Sequence, residues 1–225
     1  MLMEAIDSYR ATGRSIPSID STELTATIQM VRGEFAVIWK CVRAARFVAV
    51  KVYQVSNLLH DVQRVFDRVV RDIEICKRIQ NNGGHKNLVP FIGCCGPKGR
   101  VPYIISAWMP NGDARSYVRD RDGDETECLK IFIDMVEGLG FLHDIRPNFV
   151  AHGNLKASNV LIDEDGSARL ADFALASVRD EILDTGSRPP PVQWCAPERL
   201  RGEEGSSETS KASDIYSFSC TILEV

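Results

Sequence analysis

His152-Gly153-Asn154-Leu155-Lys156-Ala157-Ser158-Asn159 is the stretch on which the reading of this chain turns. It sets two carboxamides five positions apart (159 − 154 = 5), with Lys156 between them. A carboxamide oxygen accepts a hydrogen bond and can orient a hydroxyl, but it does not take up a proton at neutral pH. Just downstream, Val160–Ile162 and Ala168–Leu170 flank the turn Asp163-Glu164-Asp165-Gly166, a pattern of two short strands. Asp172-Phe173-Ala174 follows, then Ala196-Pro197-Glu198 and Ser213-Asp214-Ile215.

Upstream, runs rich in Val, Ile and aromatics predict strands at Thr27–Gly33, Ala36–Val42 and Phe47–Tyr53. The period then changes. Val62, Phe66, Val69, Ile73 and Cys76 recur at three and four, predicting a helix over 58–80 with one buried face. Asn81-Asn82-Gly83-Gly84 ends it with residues suited to positive φ. Strands are predicted at Leu88–Gly93 and Pro102–Ala107. After Pro110-Asn111-Gly112 the pattern is helical: Leu129, Phe132, Ile133, Val136 and Leu139 stripe a helix over about 126–144. Residues 175–195 read as a loop with Pro189 to Pro191, and a last helix begins near Ala212. Strands first and helices later, with a hinge at Met109–Gly112, predict a two-lobed α+β protein. The boundaries fall at 1–26 for a leader, 27–109 for the first lobe and 110–225 for the second.

The chain has 225 residues, 44% hydrophobic and 26% charged, enough for one large domain or two lobes. A formal net charge of −4 argues against nucleic acid or an anionic membrane as partner. Met1 to Arg10 has neither an apolar core nor a basic start, unlike a secretory signal. No run approaches the roughly 20 apolar residues of a bilayer span. Seven cysteines without paired metal spacing predict reduced thiols in a cytoplasmic or nuclear protein that is not secreted. His60, His85, His143 and His152 are scattered without metal spacing.

In this order the motifs resemble those of protein kinases, over about Thr27 to Val225, and most of all the tyrosine-kinase-like branch of Ser/Thr kinases, including its fungal sets. The resemblance implies a small antiparallel β-sheet lobe with a helix C, a mainly helical second lobe ending after helix F, and ATP and Mg²⁺ as cofactors. Residues 152–159 are similar to the catalytic loop His-Arg-Asp-Leu-x-x-x-Asn, and Val48-Ala49-Val50-Lys51 to Val-Ala-Ile-Lys. By the resemblance Lys51 neutralises phosphate oxygens, Asn159 and Asp172 hold the metal, and Lys156 meets the transferring phosphate and the substrate hydroxyl. Ser106 takes the gatekeeper position, and Ala107 and Met109 offer backbone groups to adenine. Ile38, Ala49 and Leu161 line the nucleotide, and Gly33 is the glycine kept in the phosphate loop.

Four departures from the family pattern follow. Asn154 stands where the base is Asp. General-base assistance contributes about 10²–10⁴-fold and kinase turnover is about 1–100 s⁻¹, leaving on the order of 10⁻⁴–1 s⁻¹. Val31 and Ala36 replace two loop glycines and Glu34 adds negative charge, which predicts weaker nucleotide binding. Asp72 takes the helix C acid position, one methylene or about 1.5 Å short of a glutamate. Gly153 replaces the arginine that would gather a loop phosphorylated at Thr185 or Ser187. With the sequence stopping after helix F, apolar faces of helices E and F are expected to lack cover. Two readings stand: a catalytically impaired, ATP-binding pseudokinase that regulates or scaffolds a partner protein, and a weakly active Ser/Thr kinase that phosphorylates a protein substrate.

Overall fold

Alternation of side chains along strands in the first half builds one sheet with two different faces. The computed structural model describes residues 19–32, 36–54, 59–95, 101–173, 176–178, 192–200 and 209–225. Gly33, Glu34, Ala174, Thr185, Ser187 and most of the predicted leader therefore lie outside the described residues. The chain divides into two compact units, one from residues up to Ile73 plus Pro90–Trp108, the other from Glu74–Val89 plus Met109–Val225.

The first unit carries an antiparallel sheet of β1 (Thr25–Arg32), β2 (Ala36–Arg43), β3 (Arg46–Tyr53), β4 (Phe91–Cys95) and β5 (Tyr103–Ala107), in the order β1-β2-β3-β5-β4. Ala44 and Ala45 join β2 to β3 in a two-residue loop, both at positive φ, the hairpin form whose twist suits the flanking strands. One face buries Val48, Val50, Cys41, Cys95 and Ile105 against Ile19, with Trp39, Val52 and Tyr103 packed on them. Each such aliphatic side chain stabilises by about 1.5–3 kcal/mol. The partners Ile38↔Lys51, Lys51↔Ile104 and Ala49↔Ser106 set Ile38, Ala49, Lys51, Tyr53, Ile104 and Ser106 on the other face.

Helix α1 (Leu59–Asn81) contributes to the first unit as far as Ile73 and to the second from Glu74. The predicted face is buried at Phe66, Val69, Ile73 and Cys76. Gly83 and Gly84 follow at φ 91° and 66°, and the Gly84 N–H closes on the Ile79 carbonyl at 3.0 Å.

The predicted strand at Leu88–Gly93 is corrected to Phe91–Cys95. Leu88 bridges Leu170 and the Val89 N–H donates to the Leu170 carbonyl in the second unit. Pro90, with no N–H to give a ladder, marks the change of allegiance.

In the second unit, α2 (Ala114–Arg119) was not foreseen from sequence; Asp113 caps it through the Ser116 N–H. Helix α3 (Glu125–Asp144) is capped by Asp124, but its buried face is Ile131, Asp134, Met135, Gly138, Leu139 and Leu142. Of the predicted stripe only Leu139 is buried, while Leu129, Ile133 and Val136 are exposed. Polar Asp134 and side-chain-free Gly138 hid that face. Asp134 Oδ2 accepts from the Ala168 N–H at 2.8 Å. A Cβ on Gly138 would stand 2.8 Å from the Asn87 carbonyl.

Two small antiparallel pairs follow, β6 (Val150–Ala151) with β9 (Ser177–Val178) and β7 (Val160–Ile162) with β8 (Ala168–Leu170). Helix α4 (Pro197–Leu200) is one turn. Helix α5 (Lys211–Glu224) starts on a Ser210–Ser213 capping box. None of the seven cysteines is in a disulfide.

Candidate functional site

The first unit contributes a charged pair. Asp72 lies on α1 with its carboxylate buried, and Lys51 Nζ meets Asp72 Oδ2 at 3.1 Å. The methylene that Asp lacks relative to Glu therefore does not break the contact. Tyr53, two residues beyond Lys51 on the same sheet face, donates its hydroxyl to the same Oδ2 at 2.8 Å. Its ring lies 4.8 Å from Lys51 Nζ, within cation–π range. The periodicity had given Tyr53 no role beyond ending a strand.

Ala49 and Ser106 are cross-strand partners on this face. The Ala107 N–H is already donated to the Pro90 carbonyl at 2.9 Å. Met109 belongs to the second unit, where its carbonyl accepts from the Gly112 N–H at 3.3 Å. Leu161, half-buried on β7, is also there and pairs with Arg169.

The loop at 152–159 is held from below by one carboxylate. Asp214, fully buried on α5, accepts from the backbone N–H groups of His152 and Gly153 at 2.8 and 2.9 Å. His143 Nε2 sits 2.8 Å from its Oδ2. Gly153 adopts φ 73°, where a side chain would be strained by about 1–2 kcal/mol. Glu224, at the other end of α5, takes the Ala157 N–H and the Trp194 indole N–H on one oxygen, both at 2.9 Å. Neither the Glu224 brace nor the Trp194 contact was foreseen from sequence.

On that base, three of the residues singled out come together. Asn154 Nδ2 donates to Asp172 Oδ2 at 2.9 Å, and Asn159 Nδ2 donates to the Asn154 carbonyl at 2.7 Å. Asp172 has φ 65°, a backbone cost of the kind that clusters at functional sites. Lys156 is half-buried and has no ion pair among the described residues. His152 is fully buried, and burial holds its imidazole below the ordinary histidine range, against an opposing pull from Asp214 and then Asp172. Its Nδ1 accepts the Asn154 N–H at 3.3 Å, and its ring lies 5.3 Å from that of Phe173.

These residues suit a hard cation carried by a polyphosphate. Asn159 Nδ2 donates inside the loop, and its Oδ1, an acceptor, could be offered to a cation, as could the Asp172 carboxylate. No group of three or more His, Cys, Asp or Glu able to hold a metal occurs among the described residues. One carboxylate and one amide oxygen match Mg²⁺, which keeps waters and takes further oxygens from substrate phosphates. No described helix is long and apolar enough to cross a membrane.

Residues 24–225 match the family described as protein tyrosine and serine/threonine kinase. The chain is similar to the L-type lectin-domain containing receptor kinase V.4 of Arabidopsis thaliana, 32% identical over 76% of this chain and 26% of that protein. It is also similar to the serine/threonine-protein kinase STY46 of Arabidopsis thaliana, 27% identical over 95% of this chain and 35% of the relative. The scaffold protein ILK of Mus musculus is 27% identical over 92% of this chain and 44% of the relative. The chain thus spans less than half the length of these proteins.

Proposed function

The chain belongs to the protein tyrosine and serine/threonine kinase family, and from that premise we propose that it binds ATP with Mg²⁺ but is impaired in phosphoryl transfer, acting as a regulatory or scaffolding partner of another protein. The observation that carries this reading is the Asn154 amide, whose nitrogen donates to Asp172 at 2.9 Å where the family places a proton-accepting carboxylate. An amide in that position can orient a hydroxyl but not deprotonate it. The remaining roles are kept: Lys51 would neutralise phosphate oxygens, and Asn159 and Asp172 would hold the metal. Bound there, Mg²⁺ supplies charge neutralisation to the phosphates. By the family resemblance Ile38, Ala49, Ser106 and Leu161 would line the base, and Ala107 and Met109 would offer backbone groups.

The scaffold part of this reading draws on the name of the mouse relative. The intact Lys51–Asp72 contact favours a second reading, a weakly active Ser/Thr kinase, since phosphoryl transfer depends mostly on positioning and electrostatics.

A thermal-shift titration with ATP, with and without Mg²⁺, tests the binding half. The expected result is a Mg²⁺-dependent rise in Tm through linkage of binding to stability; no rise under either condition overturns it. Radiolabel transfer from ATP that disappears in Asp172→Ala would establish the second reading.

A further inference from the structure

We infer that Tyr53 is a positioning residue that holds the shortened acid Asp72 against Lys51, and so fixes the ammonium that meets the nucleotide phosphates. The inference rests on the nucleotide-binding reading above. The contacts it is drawn from lie within the first unit. Alternation along β3 puts Lys51 and Tyr53 on one face, and the Tyr53 side chain is buried at 5% exposure. Its hydroxyl and the Lys51 ammonium converge on one atom, Asp72 Oδ2, at 2.8 and 3.1 Å. The same ring also packs 4.8 Å from the ammonium.

Each contact answers a deficit of the short acid. An aspartate on α1 reaches about 1.5 Å less far than a glutamate from the same Cα, so a contact that draws its carboxylate towards β3 bears directly on how well it meets Lys51. A phenol on the rigid strand adds a second, short hydrogen bond to the carboxylate. Hydrogen bonds with one ionised partner are shorter and roughly twice as strong as neutral ones. The tyrosine ring limits where the ammonium can go. The plainer alternative is a core tyrosine whose buried hydroxyl found the nearest acceptor. That alternative predicts a loss of stability indifferent to the length of the acid and without consequence for Lys51.

The test is a double-mutant cycle of Tyr53→Phe and Asp72→Glu, read by the rate at which an amine-acylating reagent labels Lys51 in the full chain, located by peptide mass. With Asp72 present, Tyr53→Phe is expected to raise the labelling rate about 10-fold or more, the loss of one hydrogen bond to a charged group. In the Asp72→Glu background, where the acid has its usual reach, the same change is expected to alter the rate less than about 2-fold. An unchanged rate with Asp72, or an equal increase in both backgrounds, overturns the inference. Adding ATP separates the two claims. ATP that slows Lys51 labelling in the parent supports nucleotide binding at this lysine. ATP without effect overturns that binding, whereas the cycle measured without nucleotide still decides the role of Tyr53.

Discussion

Each of the two units departs from the family pattern at an acidic position, and the departures differ in kind. In the first unit Asp72 keeps the charge and gives up length; Lys51 still meets it at 3.1 Å, and Tyr53 adds a contact at 2.8 Å. In the second unit Asn154 keeps size and shape and gives up the charge; it holds Asp172 at 2.9 Å and its carbonyl still anchors Asn159. A change of length is geometric, and a neighbouring side chain can compensate for it. A change from carboxylate to amide is chemical: no neighbouring contact restores the lost basicity.

The strongest way to break the comparison is to remove the support of the second half alone. Asp214→Ala leaves the His152 and Gly153 N–H groups buried without their acceptor. The expected cost is about 3–5 kcal/mol in denaturant unfolding. Lys51 labelling in the fraction that stays folded should be unchanged if the Lys51–Asp72 contact stands independently of α5; faster labelling would show that it does not.

A smaller effect is expected when the charge is put back without a metal. Asn154→Asp places two carboxylates at hydrogen-bond distance and removes a donor, at a cost of about 1–3 kcal/mol. Acidification should recover this loss as the two groups come to share a proton. Unchanged stability at pH 7.5 would mean that the Asn154–Asp172 bond does not hold Asp172 in place.

Gly153→Ala probes the loop that carries Asn154. At φ 73° an added Cβ should cost about 1 kcal/mol, read as a lower midpoint at unchanged m-value. No change would mean that the loop relaxes out of this conformation.

The gentlest effect is that of pH. Burial lowers the affinity of His152 for a proton in the folded chain, so the unfolded chain binds more protons below the ordinary value of about 6.5. Stability is then full above that value and falls as pH drops through it towards the depressed folded value. His152→Gln should flatten this slope between pH 7.5 and 5.5, and an unchanged slope would assign the acid sensitivity elsewhere.

Much of this arrangement was legible in sequence because it is periodic or local. Runs rich in Val, Ile and aromatics gave β2 and β3, and the three-four spacing of Phe66, Val69 and Ile73 gave α1. The spacing within residues 152–159 and the position of Asp172 pointed to residues that do lie together. What escaped depends on tertiary partners. Tyr53 at the end of an alternating strand reads as packing until its hydroxyl is seen against Asp72. The buried face of α3 was missed because Asp134 and Gly138 occupy it for reasons that lie outside the helix: the Ala168 N–H and the approach of the Asn87 backbone. Glu224 reads as a polar helix end, yet two donors from separate loops converge on it.

Phosphoryl transfer by the parent and by Asn154→Asp, compared at saturating ATP and Mg²⁺, bears most directly on the claim that residue 154 has lost chemistry but not geometry. The expected result is ATP affinity within about 3-fold and a rate raised about 10²–10⁴-fold in the variant. Equal rates at equal affinity would contradict it.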